Sequence, residues 1–148
     1  MSVPKSKRKR SRFEVFHTMQ RLQKELVKYL MLDFGVTRCT NLGEAQFLDL
    51  KFERIINLCA DIVGDIHRAN DLFVTNLLEY EQRRLYQDKA IANCDVLKQE
   101  LQSIVDIMPG LNINKYKTSI KMIDKEIVLI KSWRKSDIRL KKRFNYKQ

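Results

Sequence analysis

The amino-acid sequence predicts an all-α protein, folded as an up-down-up-down antiparallel four-helix bundle. Glycine and proline are scarce, with 4 and 2 residues among 148, and this composition favours long helices over turns. Apolar residues recur at steps of three and four along four separate segments, whereas the alternation typical of strands is not seen. Connections of about five to nine residues join the segments, and short connections make consecutive helices antiparallel neighbours.

The first predicted helix begins with a capping box. Ser11 is the expected N-cap, and Glu14 stands three residues later, where its side chain reaches back to the cap. Asp33 and Phe34 lead to Gly35, which suits the left-handed conformation that closes many helices. The predicted buried stripe comprises Val15, Phe16, Met19, Leu22, Leu26 and Leu30.

The second predicted helix repeats this cap spacing. Asn41 is its expected N-cap with Glu44 three residues on, and Asn70 with Asp71 closes a helix of about 28 residues. Helical spacing again defines one apolar side. Its predicted stripe comprises Phe47, Leu48, Phe52, Ile55, Ile56, Cys59, Ile62, Val63 and Ile66.

The third predicted helix opens at Asn76 with Glu79 and runs to Met108. Pro109 and Gly110 follow and form the strongest stop signal in the chain. Its predicted stripe comprises Tyr80, Ile91, Cys94, Leu97, Leu101, Ile104, Val105 and Met108.

The fourth predicted helix carries a heptad seam, with apolar residues at alternating steps of three and four. Trp133 continues the seam into a basic segment. The seam comprises Ile113, Tyr116, Ile120, Ile123, Ile127 and Ile130.

The net charge of +11 is concentrated at the two ends of the chain. Residues 1–12 hold six basic and no acidic side chains, and residues 131–148 hold eight basic residues and one acidic residue, Asp137. The remaining residues are close to neutral. A solvated surface explains one such run equally well, but two runs in one chain favour a polyanionic partner.

This charge distribution predicts three parts: a flexible basic arm at 1–12, a bundle at 13–134 and a basic tail at 135–148. Basic side chains neutralise phosphates, and the aromatic residues interleaved with them in the tail are suited to stacking on unpaired bases. The predicted nucleic-acid-binding residues are Lys5, Lys7, Arg8, Lys9, Arg10, Arg12, Lys131, Arg134, Lys135, Arg139, Lys141, Lys142 and Arg143.

Catalysis finds little support in the sequence. A di-iron site in a bundle needs two Glu-x-x-His motifs, and the chain has one, Glu14 to His17. The residue three before His67 is Gly64, so the second motif is missing. No phosphate-binding glycine loop occurs either. We therefore expect a non-enzyme without metal or cofactor.

The three cysteines, Cys39, Cys59 and Cys94, are far apart and odd in number. They form no CxxC pair, so neither a disulfide framework nor a zinc knuckle is indicated. No apolar run approaches the roughly 18 residues of a membrane span, and no signal peptide is recognisable. We expect a reduced, cytoplasmic protein without a membrane partner.

Three residues are candidates for an interface: Arg83, Arg84 and Trp133. A surface ion pair from Glu79 to Arg83, four residues apart, is the favoured interpretation of the first arginine. Arg84 falls close to the apolar stripe, where an arginine suits a carboxylate or phosphate of a partner. Trp133 either caps the bundle core or contacts a partner, and the sequence leaves both open.

Three short motifs carry a family resemblance. They are VPKSKR at the start, AND with a following N-x-x-E-Y-E-x-R-R (Ala69 to Arg84), and KSD followed by basic residues (Lys135 to Lys142). With them the chain resembles the accessory variability determinant proteins of bacterial and phage diversity-generating retroelements. Those are themselves similar to the bundle proteins encoded in 23S ribosomal RNA intervening sequences.

The resemblance implies a homopentameric barrel with a basic surface. It implies binding to the element's reverse transcriptase and to template RNA or RNA–cDNA, in support of error-prone cDNA synthesis. Arg83 and Arg84 then become candidates for the subunit or polymerase interface. Two alternatives stay open: a bundle associated with ribosomal RNA without a polymerase, and a structural bundle whose basic ends serve solubility or targeting.

Overall fold

The computed structural model describes residues 10–33, 38–111 and 113–145, and these residues form five α-helices without any strand. The all-α prediction is therefore confirmed. None of the described helices is both long enough and apolar enough to cross a bilayer. The helices are α1 (Arg10–Asp33), α2 (Leu42–Asp71), α3 (Leu77–Ile107), α4 (Ile113–Ser136) and α5 (Ile138–Asn145).

The four long helices pack around one apolar core. α3 contacts both α2 and α4, and α1 contacts the same two helices from the other side. Burying a leucine or isoleucine side chain stabilises the fold by roughly 1.5–3 kcal/mol relative to exposure. Most of the inaccessible core side chains come from the predicted stripes, including Leu22, Leu48, Ile55, Ile62, Leu97, Leu101, Ile104, Ile123 and Ile130.

Polar contacts between α2 and α3 pair early residues of one helix with late residues of the other. Lys51 Nζ lies 2.7 Å from a Glu100 carboxylate oxygen, and Asn93 donates to Asp65 at 3.1 Å. The later residue of α2, Asp65, thus contacts the earlier residue of α3, Asn93.

The contacts between α3 and α4 follow the same rule. Lys98 Nζ lies 2.8 Å from Asp124, and Arg134 lies 2.7 Å from Asp88. Moving forward along α3 therefore means moving backward along α4.

Two contacts show which helix ends lie together. Arg38 donates to the carbonyl of Gly110 at 3.1 Å, so the α1–α2 and α3–α4 connections meet at one end of the bundle. We call it the opposite end, because α5 lies at the other end. The rings of Phe16 and His67 lie 5.1 Å apart, which places the start of α1 beside the end of α2. We call that region the α5 end; it also contains the start of α3, the junction residue Asp137 and α5.

The helix caps of α2 and α3 form as predicted. The side-chain oxygen of Asn41 accepts a hydrogen bond from the backbone N–H of Glu44 at 2.9 Å. Asn76 accepts in the same way from Glu79 at 2.9 Å. Met108 is the C-cap of α3, in agreement with the predicted stop before Pro109.

The first helix differs from expectation at its start. α1 begins at Arg10, so Ser11 lies inside the helix and the prediction that it is the N-cap is wrong. An N-cap residue has non-helical backbone angles, whereas Ser11 is already part of the helix. The helix ends at Asp33 as expected, whereas Gly35 falls outside the described residues. α5 extends to Asn145, so much of the basic tail predicted at 135–148 is helical.

Candidate nucleic-acid interface

A buried arginine ties the end of α2 to the start of α3. The Arg83 side chain is 5% exposed. Its Nε donates to the carbonyl of Ala69 at 3.2 Å, and its Nη2 donates to the carbonyl of Leu72 at 2.6 Å. These acceptors lie at the C-terminus of α2, where carbonyls lack partners within the helix and where a positive charge is favourable.

The same arginine binds the junction between α4 and α5. Its Nη1 lies 3.3 Å from Oδ1 of Asp137, and Gln87 Nε2 donates to Oδ2 of that carboxylate at 3.0 Å. Asp137 is 6% exposed, and each of its oxygens has a donor. We call Arg83, Gln87 and Asp137 the latch. It holds α2, α3 and the α4–α5 junction together.

The backbone at the junction fixes the direction of α5. The N–H of Asp137 donates to the carbonyl of Trp133 at 3.2 Å, and the N–H of Leu140 donates to that of Asp137 at 2.9 Å. Ser136 Oγ also donates to the Trp133 carbonyl at 2.7 Å. With the side chain of Asp137 held in the latch, α5 is attached to the bundle through the residue that immediately precedes it.

Exposed cations cover the surface around this junction. We call six of them the basic face, and no ion pair within the described part of the chain involves them. The acidic residue of the same segment, Asp137, is buried in the latch and does not offset their charge at the surface. The basic face comprises Lys131, Lys135, Arg139, Lys141, Lys142 and Arg143.

A groove runs between α5 and the α2–α3 connection, with a cavity volume of about 800 Å³. The connection supplies Phe73, which is 81% exposed, beside Val74 and Thr75. Phe73 is not among the residues predicted from the sequence, because it lies on no helical stripe and falls between the two parts of the Ala69 to Arg84 motif. A phenylalanine in a short connection between two capped helices was the available signal. The wall from α5 consists of Arg139, Leu140, Lys142, Arg143 and Phe144.

The structure describes only part of the predicted nucleic-acid-binding set. Lys5, Lys7, Arg8 and Lys9 lie outside the described residues. Arg10 and Arg12 belong to the first turn of α1, of which the backbone alone is described. For these six residues the prediction stays a prediction.

Arg134 is placed differently from the six cations of the basic face. It is half-buried and donates to Asp88 at 2.7 Å. Its charge is therefore engaged in joining α4 to α3.

Arg83 and Trp133 lie inside the bundle, so the interpretation of Arg83 as a surface residue is wrong, whereas an interface role for these two residues stays a prediction. Trp133 is 2% exposed within the core and occupies the seam position before the junction. The predicted surface pair of Arg83 with Glu79 is also wrong, because Glu79 binds the helix cap and Arg83 binds Asp137.

The spacing of α3 explains the place of Arg83. Steps of three and four lead from Tyr80 to Arg83, Gln87 and Ala90, so the apolar stripe itself contains an arginine and a glutamine. Arg84 lies beside the stripe, is partly exposed and donates to the Tyr80 hydroxyl at 3.2 Å. Its interface role stays a prediction.

One further carboxylate is buried, on α4. Glu126 is 0% exposed, and neither of its oxygens has a hydrogen-bond partner among the described residues. Burial raises the pKa of Glu126 to about 8, against a smaller opposing effect of Lys125. Glu126 is not among the residues predicted from the sequence, although its position three residues after Ile123 and four before Ile130 places it beside the seam.

The buried thiols are weak nucleophiles. Burial raises the pKa of Cys59 to about 12, and burial together with nearby Glu126 raises the pKa of Cys94 still further. A thiol with a raised pKa stays protonated at neutral pH and reacts slowly. Within residues 10–33, 38–111 and 113–145, no three His, Cys, Asp or Glu side chains are grouped so that they could share a metal ion.

Comparisons with protein-family models, with curated proteins and with solved structures found no match. The basic face, the latch and the groove are the features of this chain that bear on its function. All three lie at the α5 end.

Proposed function

We propose that this chain is a non-catalytic accessory subunit of a diversity-generating retroelement, which binds the reverse transcriptase and the template RNA in support of mutagenic cDNA synthesis. The three motifs that resemble accessory variability determinant proteins support the polymerase partner. The proposal includes an up-down-up-down bundle with a basic arm and tail, a homopentameric assembly and a cytoplasmic location. The observation that carries it is the basic face, whose neighbouring acidic residue is buried.

Electrostatics favour a polyanion on this surface. Six exposed cations lie within residues 131–143, and like charges at this density repel one another until counter-charge arrives. Phosphates supply that charge at regular intervals along a strand, and their neutralisation releases bound counterions. The latch holds α5 in place before binding, so little ordering is required when the ligand arrives.

The first turns of α1 lie at the same end of the bundle as the basic face. Phe16 lies against His67, near the end of α2, and that end is bound by the latch. α1 therefore starts at the α5 end. The basic residues 5–9 precede this point in the chain, which supports a single nucleic-acid surface built from both termini.

The RNA contact is tested by titrating labelled template RNA with the full chain at several salt concentrations. Replacing Lys131, Lys135 and Lys141 by glutamine should weaken binding and reduce the salt dependence, by about 0.7 in logarithmic slope for each lost phosphate contact to a single strand. The matched control replaces Lys28, Lys117 and Lys121, which are exposed on α1 and α4 outside the basic face. A flat salt dependence of the unmodified chain contradicts the proposal.

The polymerase contact is tested by affinity purification of the tagged chain from its host at near-physiological salt. Recovery of a reverse transcriptase together with its template transcript supports the accessory role. Ribosomal RNA without a polymerase contradicts it and supports the ribosomal alternative instead. Light scattering tests the assembly, since a monomer at micromolar concentration contradicts the pentamer.

A further inference from the structure

The groove at the α5 end presents an aromatic ring on an ordered connection. Leu72, just before Phe73, is held by Arg83, whose Nη2 donates to its carbonyl at 2.6 Å. Thr75, two residues after Phe73, donates to the Glu79 carboxylate through its hydroxyl and its backbone N–H. Phe73 is thus 81% exposed although the chain on both sides of it is fixed.

The opposite wall of the groove is cationic. Arg139, Lys142 and Arg143 line it and are exposed, and none of the described residues that line the groove is acidic. A second copy of this surface would bring like charges together, which disfavours self-association through it. An anionic occupant with flat apolar groups fits both walls.

Single-stranded nucleic acid combines these two properties. Its phosphates pair with cations, and its unpaired bases offer faces on which an aromatic side chain stacks. In a duplex those faces are covered by neighbouring base pairs, so a duplex gains the phosphate contacts without the stacking contact. An anionic bilayer is broad and flat, whereas these side chains line a concave surface.

We propose that this groove binds single-stranded nucleic acid, with phosphates at Arg139, Lys142 and Arg143 and one base stacked on Phe73. The inference rests on the proposed function and adds to it the form of the nucleic acid and an aromatic contact residue. Because every base has a stacking face, the contact accepts any base sequence.

The test compares binding of labelled oligouridylate and of a blunt RNA duplex of equal length to the full chain and its variants. Phe73→Ala and Phe73→Leu should each weaken oligouridylate binding about tenfold and leave duplex binding unchanged. Phe73→Tyr should retain the original affinity, because the aromatic face is kept. The salt dependence should be the same for all four proteins, since the cations remain.

Leu50→Ala is the matched control, because Leu50 is 70% exposed on α2 and does not line the groove. Three results overturn the inference: full affinity of Phe73→Ala, equal loss on the duplex, or full affinity of Phe73→Leu, which would indicate apolar contact without stacking. If the unmodified chain still binds RNA in a salt-dependent way, the proposed function survives these results. If the unmodified chain binds no RNA, both fail.

Two further measurements exclude other occupants. A lower assembled mass of Phe73→Ala in light scattering would make the groove a contact between copies of this chain and overturn the inference. Sedimentation with phosphatidylserine-containing vesicles that is lost in Phe73→Ala would assign the groove to a membrane surface and also overturn it. An unchanged mass and no such sedimentation support the nucleic acid.

Discussion

α2 and α3 begin with nearly the same five residues, TNLGE at 40–44 and TNLLE at 75–79. In both, the asparagine side chain accepts from the glutamate N–H at 2.9 Å, and the threonine hydroxyl donates to the glutamate carboxylate. The local structure of the two starts is therefore the same, although they lie at opposite ends of the bundle.

The difference appears four residues after each glutamate. The first start places Leu48 there, 0% exposed among apolar side chains. The second start places Arg83 there, 5% exposed and bonded to the end of α2 and to Asp137. Apolar packing of Leu48 holds the start of α2 in the bundle, whereas a buried ion pair of Arg83 with Asp137 holds the start of α3. The local sequence pattern thus determines the cap, whereas the buried residue four positions after the glutamate determines which other elements the helix start contacts.

Replacing Arg83 by leucine makes the second start like the first and should have the largest effect. We expect the free energy of unfolding to fall by about 3–5 kcal/mol, because Asp137 is left buried without its charge partner. The carbonyls of Ala69 and Leu72 also lose a donor. Urea unfolding followed by circular dichroism measures the loss.

Two variants serve as controls for this substitution. The double variant Arg83→Leu with Asp137→Leu should be more stable than Arg83→Leu alone, because the unpaired carboxylate of Asp137 is then removed as well. Arg38→Leu, an exposed arginine at the opposite end, should change stability by less than about 0.5 kcal/mol. An Arg83→Leu protein as stable as the original would mean that the latch contributes nothing.

Two buried carboxylates also differ in their hydrogen bonds. Asp137 accepts from Arg83 and Gln87, whereas Glu126 has no hydrogen-bond partner among the described residues. The pKa of Glu126 is about 8 when folded against its usual 4.5, so the folded protein binds more protons than the unfolded chain between these pH values. Stability should therefore fall as the pH rises through that window, by up to about 1.4 kcal/mol per pH unit, and level off above it.

Glu126→Gln should remove this dependence, because glutamine stays neutral. We expect the variant to match the original chain at pH 5 and to exceed it by roughly 3 to 4 kcal/mol at pH 8. Urea unfolding at both pH values decides the point. Equal pH profiles for the two proteins would show that Glu126 does not titrate in this range.

The caps themselves should be worth the same at both ends. Asn41→Ala and Asn76→Ala should each cost about 1 kcal/mol, because each removes one hydrogen bond to an N-terminal N–H group. Thermal unfolding of the two variants, side by side, measures this. A much larger loss for Asn76→Ala would indicate that the latch depends on the cap beside it.

The smallest effect is expected at the residue that differs between the two patterns. Gly43 stands where the second pattern has Leu78, and a Cβ at Gly43 would lie 3.2 Å from the Asn41 side-chain oxygen. The second start keeps its cap bond at 2.9 Å with a leucine in place, so a side chain is accommodated there. Gly43→Ala should stabilise the protein by about 0.5 kcal/mol in urea unfolding. Destabilisation would show that the two starts differ in geometry.

The predictable parts of this molecule are those encoded by neighbouring residues. The caps at Asn41 and Asn76 and most of the apolar core follow from local spacing, and these were predicted. Ser11 had the same cap spacing, but α1 already includes Arg10, so a local signal was overridden. The partner of Arg83 lies 54 residues away, and no local pattern identifies it.

The candidate site was predictable in its charge and not in its shape. The cations of the basic face stand out in the sequence as a run. The groove depends on α5 turning back beside the α2–α3 connection, and only the packed chain shows that Phe73 lies opposite Arg139 and Arg143.

The latch also determines where the chain can be cut. From the sequence, residues 135–148 look like a basic extension that could be deleted without harm to the bundle. A chain ending at Arg134 would lack Asp137, so the guanidinium of Arg83 would stay in the interior without the carboxylate that it contacts at 3.3 Å. A deletion that begins at Ile138 instead removes four of the six cations of the basic face and keeps the buried pair of Arg83 with Asp137.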